Sequence, residues 1–278
     1  MKARTWQRGL FFALVVSGVI VLFLLWWNQA LLPAVRSGSM RVLKARLAEG
    51  ADVNVTDEHG DSPLLAAAER SDPEMVRLLI EHGADLHHVD AGGRTALHRV
   101  AGARDADPRQ QVEILELLIA RGLDPTAREE HGDLPLHGAA YAGNATVVEF
   151  LLQRGVPVNA TNYSGFTPLH HAAAYGDVEA VKVLIDAGAA FNAPTPWGAT
   201  PLHRAASMGR SDSARALLEA GADPTLMDNH GRAPIDMARE RKYEELVQMM
   251  EERTGEAEGT EPQLIQGSDK SRHYEEEG

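Results

Sequence analysis

Between Val178 and Gly188 the chain reads "VEAVKVLIDAG", with apolar side chains at Val181, Leu184 and Ile185. That i, i+3, i+4 spacing predicts a short amphipathic helix, and the glycine that follows predicts its end. Just upstream, "TPLHHAAAYG" sets a proline behind a threonine and then a run of small and apolar residues. Proline suits the first helical position, where its fixed φ fits and its missing N–H would have had no partner. A polar, glycine-containing turn separates each such pair from the next. The unit recurs as "DEHGDSPLL" from Asp57, "DAGGRTALH" from Asp90, "EEHGDLPLH" from Glu129, "NYSGFTPLH" from Asn162, "TPWGATPLH" from Thr195 and "DNHGRAPID" from Asp228. Successive starts differ by 33, 39, 33, 33 and 33 residues. A second motif closes the full units: "LLIEHGADL", "LLIARGLDP", "LLQRGVPVN", "VLIDAGAAF" and "LLEAGADPT". One such helix pair cannot bury its apolar face alone, so the period predicts a stack.

The period, the "TPLHxAA" segment and the "LLxxGAD" segment together resemble the ankyrin repeat over most of residues 34–251. The resemblance implies an all-α solenoid of paired antiparallel helices, with a β-turn finger between successive pairs. It places full units at 57–89, 90–128, 129–161, 162–194 and 195–227. Residues 28–56 read as a linker and N-terminal capping unit, and 228–251 as the C-terminal cap. It also implies that His98, His137, His170 and His203, one per unit, make a recurring hydrogen bond near the helix start. Ser62, Thr95, Thr167 and Thr200 stand where a hydroxyl caps the first turn. Leu134 and Ala233 lack that hydroxyl, so their helices are expected to fray more. The first unit, "AVRSGSMRVLKARLAEGADVN", shows only the second half of a pair. The unit from Asp90 carries six extra residues, expected as a charged bulge around Arg104–Arg109.

A different pattern occupies the N-terminus. From Leu10 to Trp27 the chain runs 18 residues without a charge, behind a flank (residues 1–9) holding Lys2, Arg4 and Arg8. As a helix it would cover about 27 Å, close to a bilayer core. Trp6, Trp26 and Trp27 suit the two interfaces. A membrane anchor over 10–27 is expected, with N-terminus cytoplasmic and repeats periplasmic or otherwise extracytoplasmic. That arrangement fits a bacterial envelope protein. The alternative is a cleaved signal peptide and a soluble exported protein, although "NQALLPAV" is a poor cleavage site. Residues 252–278 are acidic and polar and are expected as a disordered tail.

Charge and composition narrow the chemistry. A formal net charge of −13 argues against a nucleic-acid partner. The absence of cysteine removes disulfides, thiolate nucleophiles and cysteine-ligated zinc. No phosphate-binding glycine loop and no "HExxH" occurs, so neither catalysis, cofactor, metal nor small-molecule substrate is expected. A histidine-dependent metalloenzyme, built on residues such as His82, His87 and His88, is the second alternative, and it demands three or four converging ligands. The positions free of packing duty point to a protein partner. In the early units these outward positions are small or charged (Ala66, Glu69, Arg99). In later units they turn aromatic, with an arginine and a methionine among them: Tyr141, Tyr163, Phe166, His171, Tyr175, Trp197, Arg204 and Met208. Aromatic residues, Arg and Met are what interface cores enrich, so these eight are the expected binding surface on the concave face.

Overall fold

The computed structural model describes residues 31–256, and within them the chain is a single row of helix pairs. The helices are α1 (Leu31–Arg36), α2 (Met40–Ala48), α3 (Pro63–Glu69), α4 (Pro73–Glu81), α5 (Ala96–Gly102) and α6 (Pro108–Ala120). They continue with α7 (Pro135–Ala142), α8 (Ala145–Gln153), α9 (Pro168–Tyr175), α10 (Val178–Asp186), α11 (Pro201–Met208), α12 (Ser211–Glu219), α13 (Pro234–Glu240) and α14 (Glu244–Glu256). The expected span over 10–27 and its flank lie outside the described residues, as does the tail beyond Glu256. No helix among the described residues is long and apolar enough to cross a membrane.

Helix starts follow from local chemistry. In four units the motif histidine caps its own helix and clamps the next unit. Its Nδ1 accepts the N–H of the N-cap residue: Thr95 (3.3 Å), Leu134 (3.0 Å), Thr167 (3.1 Å) and Thr200 (3.1 Å) for His98, His137, His170 and His203. Its Nε2–H donates to a carbonyl just before the following unit's N-cap: Asp133 (3.0 Å), Phe166 (3.2 Å), Ala199 (3.1 Å) and Arg232 (3.0 Å). This pattern requires the neutral Nε2–H tautomer. Burial holds His137 near a pKa of about 4 and His170 near about 3, and it lowers His98 and His203 as well. The histidine accounts for the behaviour of Leu134. With no hydroxyl at the cap, α7 loses the acceptor for a first-turn N–H, but the His137 imidazole still takes the N–H of Leu134 itself, as in the threonine-capped units. Asp236 does the same for Ala233 through its carboxylate (2.9 Å). The fraying expected from the lost hydroxyls therefore meets a second cap.

The core is a continuous apolar seam. Leu64, Leu97, Leu136, Leu169 and Leu202 hold one slot in successive first helices, all essentially inaccessible, with buried alanines at their sides. Small side chains let first helices approach more closely than second helices do, and contacts along the first-helix row are correspondingly denser. A stack tighter along one row curves toward it, so first helices and fingers line the concave side. Each finger is a turn closed on its first residue. Asp90 Oδ1, for example, accepts the N–H groups of Gly92 and Arg94 (both 2.9 Å). Gly165 supplies the left-handed residue such a turn requires, with φ 74.

Three sequence expectations change. The N-terminal cap holds both helices of a pair: Leu31 and Leu32, read as spacer, lie buried in α1 against α3. At the other end α14 runs to Glu256, five residues into the segment read as tail, with Gln248 donating to Glu252 one turn on (3.1 Å). The six extra residues make less of a bulge than expected. Pro108 and Arg109 open α6, which has 13 residues where its counterpart α8 has 9. The remaining loop is pinned by Gln111, fully buried, whose amide donates to the carbonyls of Val100 (2.7 Å) and Ala103 (3.0 Å) and accepts from Asn144.

Candidate functional site

One slot on the first helices directly follows the motif histidine, or Leu65 and Asp236 in its place in the first and last of these units. It reads Ala66, Arg99, Gly138, His171, Arg204 and Met237. The structure shows what each end of the stack does with it.

At the N-terminal end the slot is filled from within. The Arg99 side chain is only 9% exposed. Its guanidinium meets Asp61, Asp90 (2.6 Å) and Glu69 (3.1 Å). Asp61 also takes Arg36 (2.9 Å), which bridges to Asp57 (2.7 Å). Burial pushes the Asp90 carboxyl up. The Arg94 N–H and the charges of Arg99 and Arg94 outweigh this and hold it below the ordinary value. Arg99, read from sequence as an outward residue, is therefore a buried structural cation, and Ala66 is buried too, because the carboxylates of neighbouring fingers close over this face.

Toward the C-terminus the same face is aromatic. Tyr141 and Tyr175 lie 4.9 Å apart between ring centroids. His171 sits edge-on to Tyr141 (6.3 Å) and Phe166 (5.8 Å), and Phe166 contacts Trp197 (6.1 Å). The Arg204 guanidinium stands over Phe166 (5.2 Å) and Tyr175 (5.6 Å) and donates to the Tyr175 hydroxyl (3.2 Å). These six, with Met208 beside them, form one contiguous surface. Tyr163 does not join it. Its ring folds over Gly132 of the preceding finger, where an added Cβ would meet ring carbons at 2.7 Å, yet it remains 73% exposed. His171 also departs from expectation. It is largely buried between Phe166, Tyr141 and His137 instead of projecting outward, and burial, followed by the nearby Arg204 charge, lowers its pKa against the opposing pull of Asp133.

Two buried polar atoms of this cluster have no hydrogen-bond partner: His171 Nε2 and Arg204 Nε. An unsatisfied buried donor costs about 1–3 kcal/mol. Beside them, Phe166, Trp197, Arg204, Met208, Met237 and Arg241 line a groove of about 350 Å³. No group of three or more His, Asp or Glu among the described residues is placed to hold a metal ion.

With this geometry in place, comparison with known proteins decides the family. A family model of ankyrin repeats (3 copies) matches residues 31–129, 102–195 and 136–228. The chain belongs to the ankyrin repeat family. The ankyrin repeat domain of Bcl-3 superimposes with a TM-score of 0.59 at 29% identity, over 78% of this chain and 97% of that one. Among curated relatives, an intracellular phospholipase A2 of Caenorhabditis elegans is 32% identical over 121 residues, 42% of this chain and 11% of the relative. The Drosophila melanogaster transient receptor potential cation channel subfamily A member 1 is 39% identical over 100 residues, 35% of this chain and 8% of the relative. An ankyrin repeat, SAM and basic leucine zipper domain-containing protein 1 from Rhinolophus ferrumequinum is 31% identical over 121 residues, 44% and 25% respectively. The chain thus spans a quarter or less of each of these relatives.

Ankyrin register also finds the site residues that sequence reading missed. Met237 and Arg241 occupy, in the last repeat, the slots of Arg204 and Met208 in the one before, so following those slots past residue 208 reaches both. Arg104 had no such signal. It lies in the insertion, and only the fold brings its guanidinium over the Tyr141 ring (4.3 Å) and onto the Tyr141 carbonyl (3.0 Å).

Proposed function

We propose that this chain is a non-catalytic protein-binding scaffold, anchored by residues 10–27. In this reading it holds one partner protein against the concave face of its ankyrin stack, on the extracytoplasmic side of the membrane. The observation that carries the reading is the contiguous surface from Tyr141 to Trp197, which leaves Trp197 51% exposed beside a groove. Exposed aromatics grouped with an arginine are the composition of binding hot spots. The apolar run with its basic flank supports the anchor, and its charge asymmetry supports the orientation.

The test is site-specific photocrosslinking in membranes carrying the full chain. A crosslinker at position 197 should trap one discrete product, and the same group at Arg215, on the second-helix side, should not. Equal products from both positions, or none from either, would sink the reading. Protease added to intact cells or sealed vesicles then reports which side the repeats occupy.

A further inference from the structure

Arg99 and Arg204 occupy the same slot, yet their surroundings differ in one consistent way. Arg99 is saturated by Asp61 on the preceding finger, Asp90 on its own finger and Glu69 on the preceding first helix. The interval that carries Arg99 to Arg204 carries these three carboxylates to Phe166, Thr195 and Ala174. Every anionic partner has been replaced, two of them by groups with no polar atom, while the cation has been kept. Arg204 forms no ion pair among the described residues; it has the Tyr175 hydroxyl and an unpartnered buried Nε. It opens on a groove that also holds two further arginines: Arg232, which is paired, and Arg241, which forms no ion pair among the described residues. Glu240 is the one carboxylate of the lining not already held by an arginine, since Asp228 is paired with Arg232 (2.8 Å).

We propose that the Arg204 groove takes a carboxylate from its partner: an Asp or Glu side chain flanked by a large apolar residue. The carboxylate completes the guanidinium that the stack itself satisfies at Arg99, while the apolar neighbour packs among Phe166, Trp197, Met208 and Met237. Arginine presents two parallel N–H donors that match a carboxylate, so the fit is directional as well as electrostatic. This assignment rests on the concave-face reading above and names the chemistry of the ligand there.

The experiment selects ligands from a phage-displayed random dodecapeptide library, using the full chain in detergent micelles. Wild-type protein should enrich peptides with Asp or Glu beside Leu, Phe or Trp. For a synthetic peptide from that set, Arg204→Met should weaken binding by about 10- to 100-fold, and Glu→Gln in the peptide by a similar factor. Combining the two changes should add little, because one contact is removed twice. Arg204→Lys, which keeps the charge and loses the fork, should fall between. Each variant is checked for an unchanged urea midpoint, and the peptide substitution tests the contact without touching the fold. Peptides that are lost with Trp197→Ala but carry no acidic residue, or ignore Arg204→Met, would overturn the carboxylate while leaving the concave-face reading intact. Selection of nothing, or of peptides indifferent to Trp197→Ala, would overturn both. A synthetic peptide of residues 257–278, with its own Tyr274–Glu277 run, is the competing occupant. Displacement of the selected peptides by it at similar affinity would assign the groove to this chain's own tail and overturn the partner.

Discussion

Arg99 and Arg204 make an internal experiment in what one residue does in two contexts. Around Arg99 carboxylates from two fingers and a neighbouring first helix converge, and nothing is left over for a ligand. Around Arg204 the same backbone frame carries aromatics, and the cation keeps unspent hydrogen-bonding capacity. A repeat scaffold holds geometry constant while side chains vary. The difference can therefore be read as a change of role, from holding neighbouring repeats together to presenting a surface.

The largest expected effect is common to both ends and serves as their control. The four motif histidines are buried neutral, so the unfolded chain binds more protons than the folded one whenever pH lies below the ordinary histidine value. Stability is then full above about pH 6.5 and is lost as pH falls toward the folded values of about 4 for His137 and about 3 for His170. His137 and His170 each contribute a slope approaching about 1.4 kcal/mol per pH unit in that window, and His98 and His203, whose values burial also lowers, act in the same direction. Unfolding monitored by circular dichroism between pH 7.5 and 5 should show a steep, cooperative loss. A flat profile would mean that the imidazoles titrate freely and the clamp is wrong. The Asp57 and Asp90 carboxyls, both held below their ordinary value, should matter only at lower pH, and at the N-terminal end.

The next effect separates the ends. Arg99→Met takes the shared cation from the buried Asp61 and Asp90, leaves them only Arg36 and Arg94, and should cost about 1–3 kcal/mol. Arg204→Met strands no carboxylate, removes an unsatisfied donor and should stay within about 1 kcal/mol of wild type. Urea titrations of the two variants give the comparison directly. Equal losses would show that Arg204 is as structural as Arg99.

This contrast marks how far the sequence was legible. Prolines, histidines and glycines at fixed spacing set helix starts and ends through contacts a few residues apart, so the stack could be read off. The site was legible only as a composition. Whether His171 points out or in depends on Phe166 of its own finger and on Tyr141 and His137 of the preceding unit. That Arg99 is buried depends on three carboxylates in two units. Such contacts span about one repeat, and propensity or periodicity does not carry them. Arg104 shows the limit most plainly: an insertion has no register, so only the folded chain reveals that it covers Tyr141.

A sharper version converts one end into the other. Three of the six finger-opening positions are aspartate, and Asp57, Asp90 and Asp228 each accept two backbone N–H groups of their own turn. Thr195 accepts one, from Ala199 (3.1 Å). Thr195→Asp should restore the second turn bond and give Arg204 the partner that Arg99 has in Asp90. A stabilisation of about 1 kcal/mol is expected, together with loss of affinity for the acidic peptides selected above. Stabilisation with binding intact would mean that the ligand meets Arg204 from a side the finger does not control. Destabilisation would mean that the aromatic frame cannot admit a carboxylate at all.

The smallest effect concerns how the fingers are held to one another. Ala91, Glu130, Tyr163 and Asn229 each donate their N–H to the preceding finger, onto His59 (3.0 Å), Gly92 (2.9 Å), His131 (3.0 Å) and Trp197 (2.9 Å). The corresponding position between the fingers of Phe166 and Trp197 is Pro196, which has no N–H to give. The ladder therefore skips a rung at the edge of the groove, while the N-terminal fingers keep theirs. Pro196→Ala would supply the donor, worth about 0.5–1.5 kcal/mol, and would free an unfolded-chain restriction worth about 0.4–1 kcal/mol. The two nearly cancel, so the urea midpoint should hardly move. Hydrogen exchange should nevertheless report the change. Amides of Thr195 and of residues 197–199 should exchange faster than those of 90–94 in the wild type, and the gap should narrow in the variant. An unchanged gap would place the looseness of the Trp197 finger in its side chains, because the missing backbone bond would then have been supplied without effect.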